Sequence, residues 1–184
     1  MPAAATRSLR RYVITGGPGA GKSTLLQALA AAGYHCYEEA SRRLIREQMA
    51  ARSGVLPWLD MGAFAALALD AMKEQHDDAA EVGGTCFFDR AIPDVFGYLM
   101  HAGLEVPQDY LSLFASCRYE PVAFLLPPWR EIFVQDRERP QTYSESEELY
   151  EALREVYGSL GFRLVELPRA SVAERAGFVF SLTG

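Results

Sequence analysis

Eight consecutive residues, Gly16-Gly17-Pro18-Gly19-Ala20-Gly21-Lys22-Ser23, match the spacing G-x-x-x-x-G-K-[ST] without a gap. Glycines at these positions let the backbone turn tightly enough for successive N–H groups to converge on phosphate oxygens. A helix opening at the end of the loop adds the partial positive charge of its N-terminus. The Lys22 ammonium is then placed to reach β- and γ-phosphates, the Ser23 hydroxyl to ligate Mg2+, and Thr24 to contact the α-phosphate region. The flanks suit this chemistry. Arg11 to Thr15 (RYVIT) reads as a buried strand, and Ser23 to Ala32 as a helix stopped by Gly33. Motif and setting together predict a nucleoside triphosphate site.

The rest of the chain must position that loop. Further strands are expected at Tyr34 to Tyr37, Thr85 to Phe88, Pro121 to Leu126 and Phe162 to Leu167. Helices are expected at about Glu39 to Arg52, Asp60 to Glu81, Pro93 to His101, Pro107 to Cys117, Ser144 to Leu160 and from Ser171 onward. Residues 1 to 8 read as a frayed start, and Arg130 to Tyr143, charged and interrupted by proline, as a mobile loop. Strands with little alternation, separated by helices, mean a parallel sheet covered on both faces. The predicted fold is therefore α/β: one domain over residues 1–184, a three-layer sandwich on a five-stranded parallel sheet. Its functional residues should sit at the carboxyl ends of the strands.

Composition narrows the function. With 184 residues, 49% of them hydrophobic and 23% charged, the chain can bury a core of its own. A net charge of -6 gives no general attraction to DNA, RNA or anionic lipid, so a nucleic-acid partner is not expected. No apolar run approaches a membrane span, and Arg10-Arg11 is followed by no apolar stretch ending in a cleavage site. A cytoplasmic protein is expected. Cys36, Cys86 and Cys117 have no metal-ligand spacing and read as buried reduced thiols, and His35, His76 and His101 have no partners in sequence.

The loop alone does not separate switch, motor and kinase. There is no N-K-x-D, which argues against a guanine-specific switch, and no LSGGQ-like signature. Asp94-Val95-Phe96-Gly97 spells D-x-x-G, but within a predicted helix and not at a strand end, so it is discounted. YVITGGPGAGKST, CFFDRAIPDVFGYL, FLLPPWREIFVQDRER and LVELP follow one another in this order. That sequence resembles the P-loop kinases, and is similar to a bacterial family labelled AAA-type or predicted ATPase, related to the nicotinamide riboside kinase domain of bacterial NAD regulators. The resemblance covers nearly all of residues 11 to 180.

The resemblance implies a kinase-like P-loop NTPase with a short lid over residues 129–146, using ATP and Mg2+ on a small-molecule acceptor. The acceptor class would be a nucleoside, nucleotide or related metabolite. Asp89, ending an apolar strand, would help hold the metal; its competing role is to cap the helix opening near Pro93. Arg90 resembles the arginine of a D-R pair that contacts substrate or phosphate, with a structural ion pair as the alternative. Glu38 or Glu39, or Asp89, would take the proton of the attacking hydroxyl. Alternation allows only one of the two glutamates to face the cleft; Glu38 reads as the strand end and Glu39 as the helix start. Arg42 and Arg43 could receive an anionic acceptor or lie on an exposed helix face with Glu39 and Glu47. Arg137 and Arg139, with Arg130, stand where a lid supplies arginines to the transferring phosphoryl group, against the alternative of a solvated loop. Trp129 or Tyr143 could stack on a base, Pro168-Arg169 falls where adenine would sit, and Met61 to Met72 is core that could also line an acceptor pocket. The rival function is an ATPase or nucleotide-dependent switch acting on a protein partner; a nucleic-acid end kinase would need a basic groove.

Overall fold

The computed structural model describes residues 8–138 and 140–183. The expected frayed start therefore lies, through residue 7, outside the described residues, as does Arg139. Five strands carry the fold: β1 (Arg10–Gly16), β2 (His35–Tyr37), β3 (Thr85–Asp89), β4 (Val122–Leu126) and β5 (Arg163–Glu166). All pairings are parallel, in the order β2-β3-β1-β4-β5. The helices are α1 (Lys22–Ala31), α2 (Ala40–Ala51), α3 (Met61–Val82), α4 (Ile92–His101), α5 (Gln108–Ser116), α6 (Tyr143–Ser159) and α7 (Val172–Thr183). The expected α/β sandwich is the observed fold, with strand and helix ends shifted by at most one residue among the described residues. Among the described residues no helix is long and apolar enough to cross a membrane.

Both faces of the sheet are covered, which is why its strands are apolar throughout rather than alternating. Tyr12, Ile14, Phe87 and Phe124 point to one face and pack on Leu25 and Leu29 of α1 and Ala176 and Val179 of α7. Val13 and Ala123 point to the other, against Leu149, Leu153 and Tyr157 of α6. Beyond α6, helices α2, α3 and α4 form a second apolar cluster through Leu44, Phe64, Met72 and Phe96. That cluster stands over the carboxyl ends of β2 and β3 and becomes one wall of the site.

The register decides what meets the loop. Ile14 of β1 is level with Asp89 of β3, so β3 delivers its last carboxylate just below the turn at Gly16. The segment between β4 and α6, expected as a loop, contains one 3-10 turn, Arg130–Ile132. It ends where Thr142 caps α6: the Glu145 N–H donates to Thr142 Oγ1 at 3.2 Å, and Glu145 Oε2 accepts from the Thr142 N–H at 2.6 Å.

Candidate functional site

The phosphate loop is built by backbone conformations that favour glycine. Gly16 (φ +139°), Gly19 (φ +74°) and Gly21 (φ +83°) take positive φ, and Gly21 is the left-handed cap from which α1 starts. Gly17 is required by space: a Cβ there would lie 2.5 Å from Ser146 Oγ of α6, whose hydroxyl donates to the Pro18 carbonyl at 2.9 Å. The first turn of α1 holds no acidic side chain, so its positive end is left for an anion. Lys22, 3% exposed, donates from Nζ to the carbonyls of Gly16 and Gly17 at 2.9 and 2.8 Å.

Asp89 closes the lower side of this loop. It is buried, and its Oδ2 stands 3.5 Å from Ser23 Oγ. Asp89 is not the cap of α4: the cap position is Ala91, whose N–H donates to Asp94 Oδ2 at 2.9 Å. A hydroxyl and a carboxylate oxygen side by side are hard donors of the kind Mg2+ takes, with water and phosphate oxygens completing its shell. Among the described residues no group of three or more His, Cys, Asp and Glu side chains could form a metal cage. The Ser23–Asp89 pair thus fits a metal that arrives with a phosphate, not one held by protein ligands alone.

Arg90 follows Asp89 with a left-handed backbone (φ +73°) that turns its side chain inward, where it is 1% exposed. Nε donates to Glu39 Oε1 at 3.1 Å, Nη1 donates to the Gly16 carbonyl at 3.0 Å and to Asp94 Oδ1 at 3.2 Å, and the guanidinium lies 5.2 Å from the centre of the Tyr98 ring. Asp94 is the node of this network. It is 1% exposed and also accepts from Thr15 Oγ1 at 2.7 Å and from the Tyr157 hydroxyl at 2.5 Å. The two glutamates stand where the chain order was expected to put them, Glu38 just past β2 and Glu39 at the start of α2. Tyr37 is buried, so Glu38 is turned out to solvent while Glu39 comes back in to Arg90. Glu39 occupies the cap position of α2 but makes no side-chain cap bond, because Arg90 takes its carboxylate.

Arg42 reaches across to the segment between β4 and α6, giving Nε to Glu138 Oε2 at 2.5 Å and Nη2 to Asp136 Oδ2 at 2.7 Å. Its neighbour Arg43 makes the expected helix-surface pair with Glu47. Arg137 is exposed on the turn between the two carboxylates that hold Arg42, and Arg139 lies outside the described residues.

Three clefts run end to end over these residues. The largest, about 470 Å³, lies between the loop (Gly19 to Thr24), Trp129 and the start of α7. A second, about 320 Å³, is lined by Ser23, Glu38, Glu39, Arg42 and Asp89. The third is an apolar slot walled by α2, α3 and α4, with Glu39 and Arg90 at its polar end. Ser23 and Arg42 are shared by the first two, and Glu39 by the second and third. The Cys36 thiol, in the wall of the second cleft, is pushed up to about 11 by burial and the neighbouring Cys86, which removes it as a nucleophile.

Residues 11–175 match the AAA domain family. The chain belongs to that family. No curated protein matches this AAA-domain chain in sequence. Similar solved structures include thymidylate kinase from Candida albicans, with a TM-score of 0.71 at 14% identity over 97% of this chain and 92% of the other. Deoxyadenosine kinase from M. mycoides, solved with dCMP and dCDP, gives 0.61 at 17% over 94% and 97%. The NadR protein in complex with NR gives 0.70 at 19% over 95% of this chain and 50% of the other. At such identities the likeness is one of fold, and the fold is that of the P-loop kinases.

Two buried residues of this AAA-domain chain have no counterpart among the sequence expectations. Asp94, an acid in the first turn of α4, belongs in sequence only to the discounted D-x-x-G. Arg175 belongs to no motif. It projects from α7, 3% exposed, with Nη1 3.4 Å from the Ala20 carbonyl and its guanidinium 5.5 Å from the Trp129 ring centre. Burial lowers its pKa, and Nε has no hydrogen-bond partner among the described residues. A Cβ at Gly21 would meet Arg175 Nη1 at 2.9 Å, so only sequence-distant packing reveals its place under the loop.

Proposed function

We propose that this protein is an ATP-dependent phosphotransferase that moves the γ-phosphoryl group to a hydroxyl of a small acceptor such as a nucleoside, a nucleotide or a related metabolite. The observation that carries this reading is the unbroken run of clefts: Ser23 joins the phosphate loop to the Asp89 cleft, and Glu39 joins that cleft to the apolar slot. A hydrolase has no need of a slot opening beside its phosphate site. A phosphotransferase needs one, because acceptor and phosphate must be held within reach of each other.

In this reading residues 16–24 hold the triphosphate and orient it through backbone N–H groups and Lys22. Ser23 and Asp89 hold Mg2+, which when bound neutralises charge on the phosphate oxygens. Glu39, held in place by Arg90, accepts the proton of the acceptor hydroxyl; Asp89 and Glu38 are the other carboxylates near enough to compete for that role. The segment 129–146 is the lid, and Arg137 and Arg139 close over the transferring group while excluding water. The bond from phosphorus to the β,γ-bridging oxygen breaks as the bond to the acceptor oxygen forms, and ADP leaves.

The test is transfer from γ-labelled Mg·ATP to a pool of nucleosides, nucleotides and vitamin-like alcohols, with products resolved by mass and Lys22→Ala, checked for native melting, as control. A phosphorylated product that Lys22→Ala fails to make is expected. Inorganic phosphate alone, formed at a rate independent of any acceptor, would replace this reading by an ATPase acting on a protein partner.

A further inference from the structure

The geometry points to an acceptor that carries no phosphate of its own: an uncharged or cationic ring compound presenting a free hydroxyl. The inference rests on the phosphotransferase reading above and narrows its acceptor to one charge class.

The argument starts from what the slot can offer an anion. Its described walls hold three carboxylates, Glu39, Asp94 and Glu138, and one cation, Arg90. Recognition of a phosphate monoester needs charged donors with hydrogens to give. Arg90 gives Nε to Glu39 and Nη1 to Asp94 and to the Gly16 carbonyl, at 1% exposure. Arg42, in the adjoining cleft, gives Nε and Nη2 to Glu138 and Asp136. Both arginines are therefore engaged with carboxylates of this chain. A phosphate entering the slot would have to break those pairs or stand beside an excess of negative charge.

A neutral or cationic ring meets the opposite situation. Ile45, Met61, Phe64, Met72, Val95 and Tyr98 supply an apolar surface for its faces. Glu39 stands where the slot meets the Asp89 cleft, so a hydroxyl directed there lies between the ring site and the phosphate site. The excess of carboxylates adds attraction for a positively charged ring. The transfer balances: the acceptor oxygen takes the γ-phosphoryl group, the hydroxyl proton passes to Glu39, and ADP departs with the former bridging oxygen.

Matched pairs test this. A purine riboside, a pyrimidine riboside and a pyridinium riboside, each beside its 5′-monophosphate, are offered to the full chain. Binding is read by calorimetry without ATP, and transfer with Mg·ATP. The ribosides are expected to bind and to be phosphorylated with kcat/KM at least about tenfold above their monophosphates, since like-charge juxtaposition is costly. Equal or better use of the monophosphates would overturn the proposal and leave the phosphotransferase standing. Transfer to no member of the panel, with only inorganic phosphate released, would overturn both. In Glu138→Gln, which removes one carboxylate from the slot and one partner from Arg42, the preference should fall several-fold; an unchanged ratio would sink the charge argument even if ribosides are the better substrates.

Discussion

The phosphate loop and the slot beside it are made in opposite ways. The loop is one run of residues, Gly16 to Ser23, fixed by glycine conformations and by a helix that starts where it ends. The slot draws its walls from Pro18, α2, α3, α4 and the segment reaching Gln141, and its polar end depends on a buried chain of contacts from Asp94 through Arg90 to Glu39. Local geometry can specify a loop for phosphate, which is the same in every nucleotide. An acceptor pocket has to be shaped by packing between distant elements, so it is where related folds are free to differ.

Gly16→Ala should break the loop half hardest. A Cβ at this residue would lie 2.5 Å from the backbone oxygen of Leu126 on the neighbouring strand, and the φ of +139° is strained for any side chain. Neither the β4 carbonyl nor the sheet register can yield cheaply. The expected cost is roughly 3 kcal/mol of stability, together with loss of nucleotide binding, read by denaturant melts and by calorimetry with Mg·ATP. A variant that melts and binds ATP like the wild type would mean the loop tolerates a different path at its first residue.

Asp94→Asn should act mainly on the slot half. It removes the charge that faces Arg90 and keeps only one of the two oxygens. With that oxygen toward Thr15 and Arg90, an NH2 group replaces the acceptor of the Tyr157 hydroxyl and the Ala91 N–H, and the buried guanidinium loses part of its compensation, at a cost of about 2 kcal/mol. Glu39 is then held less firmly. The outcome that sharpens the contrast is a larger fall in kcat/KM for acceptor than in affinity for ATP. An equal fall in both would show that Asp94 serves the loop through Thr15 as much as the slot through Arg90.

How much of this was legible beforehand follows from the same contrast. The sheet, its parallel order of strand and helix, and the loop could be read because each rests on neighbours in sequence: RYVIT before the glycines, TCFF before Asp89. Glu39 was harder. Alternation says one of two adjacent glutamates faces inward, but which one depends on Tyr37 being the buried residue, and that is set by α3 packing over β2. Arg42 and Arg90 were readable as cations near a phosphate, while their engagement by Glu138, Asp136, Glu39 and Asp94 spans up to 96 positions. Arg175 lies farther still from the loop it touches, and its own neighbours, Glu174 and Ala176, spell only a helix.

The smallest effect expected concerns how the slot's α3 wall is pinned. His76, buried on α3, accepts the Arg118 N–H at Nε2 (2.9 Å), and its carbonyl accepts from Arg11 Nε at 3.0 Å. The ring must be neutral at Nε2 to make the first bond. Burial, opposed by the contact with Asp77, lowers its pKa below the ordinary 6.5. The unfolded chain therefore binds the proton more readily, and stability rises with pH through this window. The contribution is complete above about pH 6.5, declines as pH falls through that value, and stops changing once the folded protein is itself protonated. His76→Gln, which can still accept from Arg118 but does not titrate, should lose this slope, worth about 2 °C in melting temperature at most. Melts at pH 7.5 and 5.5 decide it: parallel shifts in wild type and variant would mean that α3 is held by its apolar face alone, and that the slot is no more pH-sensitive than the loop.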